Sequence, residues 1–178
     1  YYISRAAHFN PILLEHFGWL YERLGAFLAD RLGAPTTFRK NGGLPGFNMM
    51  LAHRAFTKIA PSIHFDWQYR NLDWSWASDA KPRTMSFTFA ISLPREGSGI
   101  NIWDLAEKEI FAFSDDELAA YVQNTPPLLF AYEVGCITLH FGHVLHQVPT
   151  PRNVYKGDER ITMQGHGCLC GGTWHLYW

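Results

Sequence analysis

Two short stretches of this chain carry residues that together could hold a metal ion. In Ser62-Ile63-His64-Phe65-Asp66-Trp67 an imidazole and a carboxylate stand two apart, inside a segment, Ser62–Tyr69, whose pattern predicts a strand. Side chains two apart in a strand project to one face, so His64 and Asp66 can grip the same ion. His-x-Asp arises often by chance, and its weight depends on a partner. Tyr132–Val148 reads YEVGCITLHFGHVLHQV: a strand, a turn at Gly142, then a second strand. Three histidines compete there. His143 sits in the turn with parity opposite to the other two. His140 lies inside an apolar strand and suits packing or support of a ligand. His146 follows the turn, opens toward Val148 and Pro149, and is the favoured third ligand. Two imidazoles and one carboxylate leave three positions open on octahedral iron(II), the arrangement that oxygen chemistry needs.

A third piece follows in Gly157-Asp158-Glu159-Arg160-Ile161-Thr162. On a strand, Arg160 and Thr162 share a face. A guanidinium fork pairs two carboxylate oxygens and a hydroxyl adds one hydrogen bond. The plain alternative is a surface arginine beside a neighbouring acid. Aromatic residues make up 16% of the chain, and several crowd into Phe65–Trp76. They read either as packing or as a wall for an organic substrate, with Trp67, Trp74 and Trp76 the candidates for contact.

The elements that must position these groups are mostly strands. Phe47–Ala52, Thr84–Leu93, Gly99–Trp103, Leu128–Phe130, Cys136–Phe141, Val144–Val148 and Arg160–Gln164 join Ser62–Tyr69 as predicted strands, separated by Gly/Pro turns. Ahead of them, Asn10 and Pro11 read as the start of a helix whose apolar positions run Leu13, Leu14, Phe17, Leu20, Leu24, Phe27 and Leu28, stopping at Gly33. A capping box of Ser114 and Glu117 predicts a short helix over Leu118–Val122. The pattern favours a mainly β fold, a jelly roll or barrel, with N-terminal helical support. One domain over 1–178 is expected, with 1–46 as the support and 47–178 as the core.

In their order, His-x-Asp, a long gap, His146-Gln147-Val148-Pro149 and then Gly-x-x-Arg-x-Thr, these motifs resemble the iron(II)/2-oxoglutarate-dependent dioxygenase superfamily, especially its prolyl-4-hydroxylase-like branch. Ile91–Pro94 and Gly97–Trp103 resemble that branch's central strands, and the likeness runs from Ser62 to Gln164. It implies a double-stranded β-helix, which is a cupin-like jelly roll, with His64, Asp66 and His146 as iron ligands. Arg160, assisted by Thr162, would hold the far carboxylate of 2-oxoglutarate. The stretch Pro149–Tyr155 makes the step from His146 to Arg160 longer than in many relatives. Asp66 stands where halogenating relatives carry a small residue, so the resemblance implies hydroxylation of an unactivated C–H bond, with dioxygen consumed and 2-oxoglutarate decarboxylated to succinate. The loop Pro149–Gly157 is a candidate for lining or closing the mouth.

Composition narrows the field. The chain has 178 residues, 47% apolar and 17% charged, with net charge −1, which describes a globular domain with no basic cluster for nucleic acid. No apolar run reaches the roughly 20 residues of a membrane span. Cys136, Cys168 and Cys170 form no disulfide framework. Cys168 and Cys170 lack a second ligand pair for structural zinc, so reduced thiols in a cytoplasmic protein are expected. The opening at Tyr1 without a methionine leaves room for a longer chain. The expected substrate is a small molecule such as an amino acid or natural-product intermediate, with a peptide as an alternative; the sequence does not address the oligomeric state. Two rivals keep the fold but change the activity. One is a cupin-type metal enzyme without 2-oxoglutarate, the other a jelly-roll binding module whose histidines are incidental.

Overall fold

A computed structural model describes residues 2–51, 62–74, 83–96, 98–106, 109, 112–141, 144–151 and 153–178. Helix α1 (Tyr2–Leu32) leads into β1 (Thr36–Phe38), β2 (Gly46–Leu51), a 3-10 turn (Gln68–Asn71), β3 (Arg83–Ser92) and β4 (Gly99–Ala106). Then come α2 (Asp115–Asn124), β5 (Leu128–Ala131), β6 (Ile137–Phe141), β7 (Val144–Gln147), β8 (Glu159–Cys170) and β9 (Thr173–Tyr177).

The strands form two sheets. The larger runs β1-β9-β8-β3-β6, with β2 also on β8; the smaller runs β5-β4-β7. The long strand β8 organises the larger sheet. One of its edges pairs with β2 and then β9, the other with β3 along most of its length. Alternation gives the sheet two different faces. Met85 and Phe87 of β3, Met163 of β8 and Leu176 of β9 pack with Tyr21, Leu24 and Leu28 of α1 into the main core. The intervening positions, among them Ser86, Thr88, Arg160, Gln164 and His166, turn to the opposite face and wall a cavity. The helix is therefore a lid on the outer face, and the inner face is left for chemistry.

Four expectations change. The helix starts at Tyr2, not at Asn10, and Pro11 lies inside it, with a kink at Phe17 (φ −129, ψ 16). The Asn10 side chain instead holds the turn before β2, donating to the Gly42 carbonyl at 2.9 Å and accepting from Leu44 N–H at 3.1 Å. Ser62–Tyr69 is not a strand: its one bridge is at His64, and the chain then tightens into the 3-10 turn. Arg160–Gln164 is only the first half of β8. Two strands, β1 and β9, went unpredicted; β1 lies within the stretch assigned to helical support and pairs parallel with β9. The capping box at Ser114 is present, with both reciprocal hydrogen bonds. The expected Gly142 turn and Ala52 lie outside the described residues. Among the described residues, no helix is long and apolar enough to cross a membrane.

Candidate metal centre

His64 and His146 are brought together by backbone, not by side chains. Each donates its N–H to the other's carbonyl at 3.0 Å, a reciprocal antiparallel bridge that docks the Ser62–Trp67 segment onto β7. The two imidazoles then lie side by side, 4.5 Å between ring centres. Both are oriented in the same way. His64 Nδ1 is 3.0 Å from the Ser62 carbonyl and His146 Nδ1 is 3.0 Å from that of Val144. A carbonyl only accepts, so each Nδ1 carries the proton and each Nε2 keeps its lone pair.

Both Nε2 atoms face Asp66, at 3.6 Å from Oδ1 for His64 and 3.6 Å from Oδ2 for His146. These separations are too long for hydrogen bonds. The three ligating atoms all lie within 4.8 Å of one another, close enough to share one ion. Burial pulls the His146 pKa below the usual imidazole value, against the opposing pull of Asp66, which keeps a lone pair available. Burial by itself would raise the Asp66 pKa. His166, His146, the Ser86 hydrogen bond and His140 outweigh it, so the carboxyl stays below its ordinary value. An ionised carboxylate beside a neutral His146 imidazole suits binding of a divalent metal.

Sequence reasoning missed the groups around Asp66. Ser86 Oγ donates to Asp66 Oδ2 at 2.7 Å and lies 2.9 Å from His166 Nδ1. His166 Nδ1 is itself 3.8 Å from that oxygen, and His140 Nε2 4.0 Å. His140 therefore lines the cavity beside the triad, while His143 lies outside the described residues. A signal for His166 did exist, since it has the parity of Arg160 and Thr162 on the same strand.

Arg160 opens into the same cavity, which encloses about 240 Å³. It is 5% exposed, and none of its three guanidinium nitrogens makes a well-formed hydrogen bond to a described residue. Its neighbour is Tyr132, whose ring centre is 5.6 Å from Cζ. Burial pulls the arginine pKa down, opposed by Tyr132. Thr162, paired across the sheet with Asn48 and Ala90, is fully buried with its hydroxyl likewise unpartnered among the described residues. A buried cation whose contact is with a phenol, with no acid other than Asp66 among the residues walling its cavity, is costly unless an anion completes it. The donor set and the buried guanidinium of Arg160, which share one cavity, fit a divalent metal with a carboxylate-bearing ligand.

The tryptophans sit elsewhere. Trp67 stacks on Phe65 (5.6 Å, 6°), and the Arg70 guanidinium lies over the Trp67 ring, 4.9 Å from its centre. Trp74 packs with Cys168, Cys170 and Tyr177 and donates to the Tyr69 carbonyl at 2.7 Å. Neither walls the cavity that holds the triad, because the 3-10 turn ends the extended run that would have kept them in line. Trp76 lies outside the described residues. In the loop Pro149–Gly157, Asn153 and Tyr155 both donate to Glu96 at 2.8 Å, which ties the loop to the turn after β3.

No family model matches this chain, and no curated protein matches it. Solved structures do. An N-substituted L-amino acid dioxygenase from Burkholderia ambifaria AMMD, in complex with alpha-KG, superposes with a TM-score of 0.60 at 17% identity, covering 99% of this chain and 68% of that one. A second structure of an N-substituted L-amino acid dioxygenase from the same organism gives 0.61 at 17% identity, over 99% and 71%. The mainly β chain thus has the fold of these dioxygenases.

Proposed function

We propose that this chain is an iron(II)- and 2-oxoglutarate-dependent oxygenase, and that its two sheets are the walls of a double-stranded β-helix. The observation that carries the reading is one cavity holding both His64, Asp66 and His146 and the buried guanidinium of Arg160. In this reading the two Nε2 atoms and the Asp66 carboxylate hold the metal. Arg160 and Thr162 take the far carboxylate of 2-oxoglutarate. The alpha-KG complex of a protein with this fold supports the co-substrate, and the Gly-x-x-Arg-x-Thr motif supports the narrower likeness to the prolyl-4-hydroxylase-like branch.

Iron(II) with 2-oxoglutarate and dioxygen supplies an oxidant strong enough to hydroxylate an unactivated C–H bond, with succinate and carbon dioxide as co-products. The chain's own work is positional. Two carbonyls fix the imidazole tautomers, Ser86 fixes the carboxylate, and the enclosed cavity limits water around the reacting atoms. The substrate is proposed to be a small molecule.

Anaerobic loading with iron(II) and 2-oxoglutarate tests this through the weak visible charge-transfer band of the chelate. The band should vanish in His64→Ala. In Arg160→Ala it should need about 30-fold or more 2-oxoglutarate, the cost of leaving a buried carboxylate unpaired. Iron binding without a band would leave a metal enzyme that does not use 2-oxoglutarate. A chain that binds no iron would not be an oxygenase.

A further inference from the structure

The triad cavity, at about 240 Å³, is smaller than the roughly 300–1,000 Å³ of sites that enclose a whole organic ligand. Metal and co-substrate would fill it, and a substrate needs adjoining room. A second cavity of about 420 Å³ provides that room. It is walled by Tyr2, Gln68, Asn71, His166, Tyr177 and Trp178, and three of these, Gln68, His166 and Trp178, also wall the triad cavity.

We infer that this second cavity is the substrate site, and that it takes an uncharged molecule built on a flat ring with hydrogen-bonding substituents; the inference rests on the oxygenase reading above. Position is the first argument. Arg160 and His166 lie on the same face of β8, Arg160 near its start and His166 further along. His166 is the residue beside Asp66, 3.8 Å from its Oδ2. A co-substrate anchored at Arg160 approaches the triad from one direction, and the second cavity meets it at the His166 side. His166, with Gln68 and Trp178, is thus the shared wall of the two spaces, and a ring lodged in the second lies one side chain from the triad cavity.

The chemistry of the walls is the second argument. The His166 and Trp178 rings are nearly parallel, 5.7 Å apart at 14°, and Tyr177 lies 5.6 Å from His166. Such a surface rewards another ring. Opposite partners come from the 3-10 turn. Gln68 and Asn71 stand three apart in it, and at that spacing side chains eclipse, so both amides reach the cavity. Each amide both donates and accepts. The described wall residues include no aspartate, glutamate, lysine or arginine, so a charged group entering here finds no acidic or basic ion-pair partner among them and gains nothing over a neutral ring.

Calorimetric titration of the full chain with indole, tryptamine and indole-3-acetate tests the inference, first without metal and then anaerobically with iron(II) and 2-oxoglutarate. Indole should bind with a submillimolar Kd, and both charged probes about tenfold more weakly. Trp178→Ala should weaken indole about tenfold. Gln68→Glu, at an exposed turn position that the fold does not depend on, should reverse the ranking in favour of tryptamine. Charged probes that bind as well as indole, or a ranking unmoved by Gln68→Glu, would overturn the assignment. In the loaded protein, saturating indole should shift the charge-transfer band. A band that forms but ignores indole would overturn the substrate role and leave the oxygenase standing. Failure to form any band would remove both, while the indole affinities would still decide whether the cavity is an aromatic-ligand site.

Discussion

Ser86 stands between two residues that have no relation in sequence. A hydroxyl has one proton, and Ser86 gives it to Asp66 Oδ2; the 2.9 Å contact to His166 Nδ1 then requires the histidine to donate. The chain His166, Ser86, Asp66 sets the rotation of a carboxylate that is otherwise free to turn away from the two imidazoles. Supporting hydrogen bonds of this kind are worth about 10- to 100-fold in metal affinity. Ser86→Ala should therefore weaken iron(II) binding by that factor in an anaerobic titration, and Ser86→Thr should recover most of it. Equal affinity in Ser86→Ala would mean that the carboxylate is held by the histidines alone. His64, Asp66 and His146, which the structure brings within reach of one ion, were legible as candidates from spacing and motif order, although parity alone does not separate His146 from His140. Ser86 was not, since a serine in an alternating strand has no signature until the fold sets Asp66 beside it. Arg160 lies between: its type and the strand parity it shares with Thr162 were readable, but its burial beside Tyr132 in the triad's cavity is a fact of the structure.

At the scale of elements, strand content was readable wherever an alternating run met a Gly/Pro turn, as in β2 to β7. It failed where tertiary contacts set the outcome. Ser62–Tyr69 looked like a strand, yet a single bridge to His146 is all that holds it extended. The strand β9 follows Gly171 and Gly172, both at positive φ (55 and 76), a two-glycine hairpin turn whose signal was present in sequence. The extra turns of α1 before Pro11 are held by the loop that Asn10 grips, a contact no local pattern announces. Further along α1, Tyr21 carries a pH prediction. It donates to the Pro45 carbonyl at 2.8 Å, and burial pushes its pKa up to about 12. A phenol whose folded pKa is raised keeps its proton after the unfolded chain has lost it. Its stabilisation is complete below pH 10 and drains away between pH 10 and 12, by about 1.4 kcal/mol per pH unit. Burial pushes Tyr177 in the same direction. Tyr21→Phe should cost about 1 kcal/mol at neutral pH and flatten the alkaline loss by one proton, as read from urea melts across that range. An unchanged slope would mean that Tyr21 ionises freely in the fold.

For the whole molecule, the site is where separate parts of the chain converge. His146 belongs to the smaller sheet, Ser86, His166 and Arg160 to the larger, and His64 and Asp66 to the segment docked onto β7 by its two backbone hydrogen bonds. Without an ion, Ser86 already ties Asp66 to the larger sheet, but the His64–Asp66 and His146–Asp66 contacts, at 3.6 Å, are beyond a hydrogen bond and add little cohesion. A metal that bonds all three would join the docked segment to the smaller sheet, and through Ser86 to the larger. That coupling is measurable, because a ligand that binds only the folded state stabilises it by mass action. With free iron(II) at about 100 times its Kd the gain is about 2.7 kcal/mol, which for a chain of this size raises Tm by about 5–10 °C. A chelator should reverse the rise. His146→Ala is the informative control, because its backbone can still exchange both hydrogen bonds with His64 and preserve the docking. The variant should fold with nearly the parent's Tm in the absence of metal and show no rise with iron(II). A rise that survives both His146→Ala and Asp66→Ala would place the ion elsewhere. A fall in the metal-free Tm by several degrees would show that the imidazole, and not the backbone bridge, holds the segment in place.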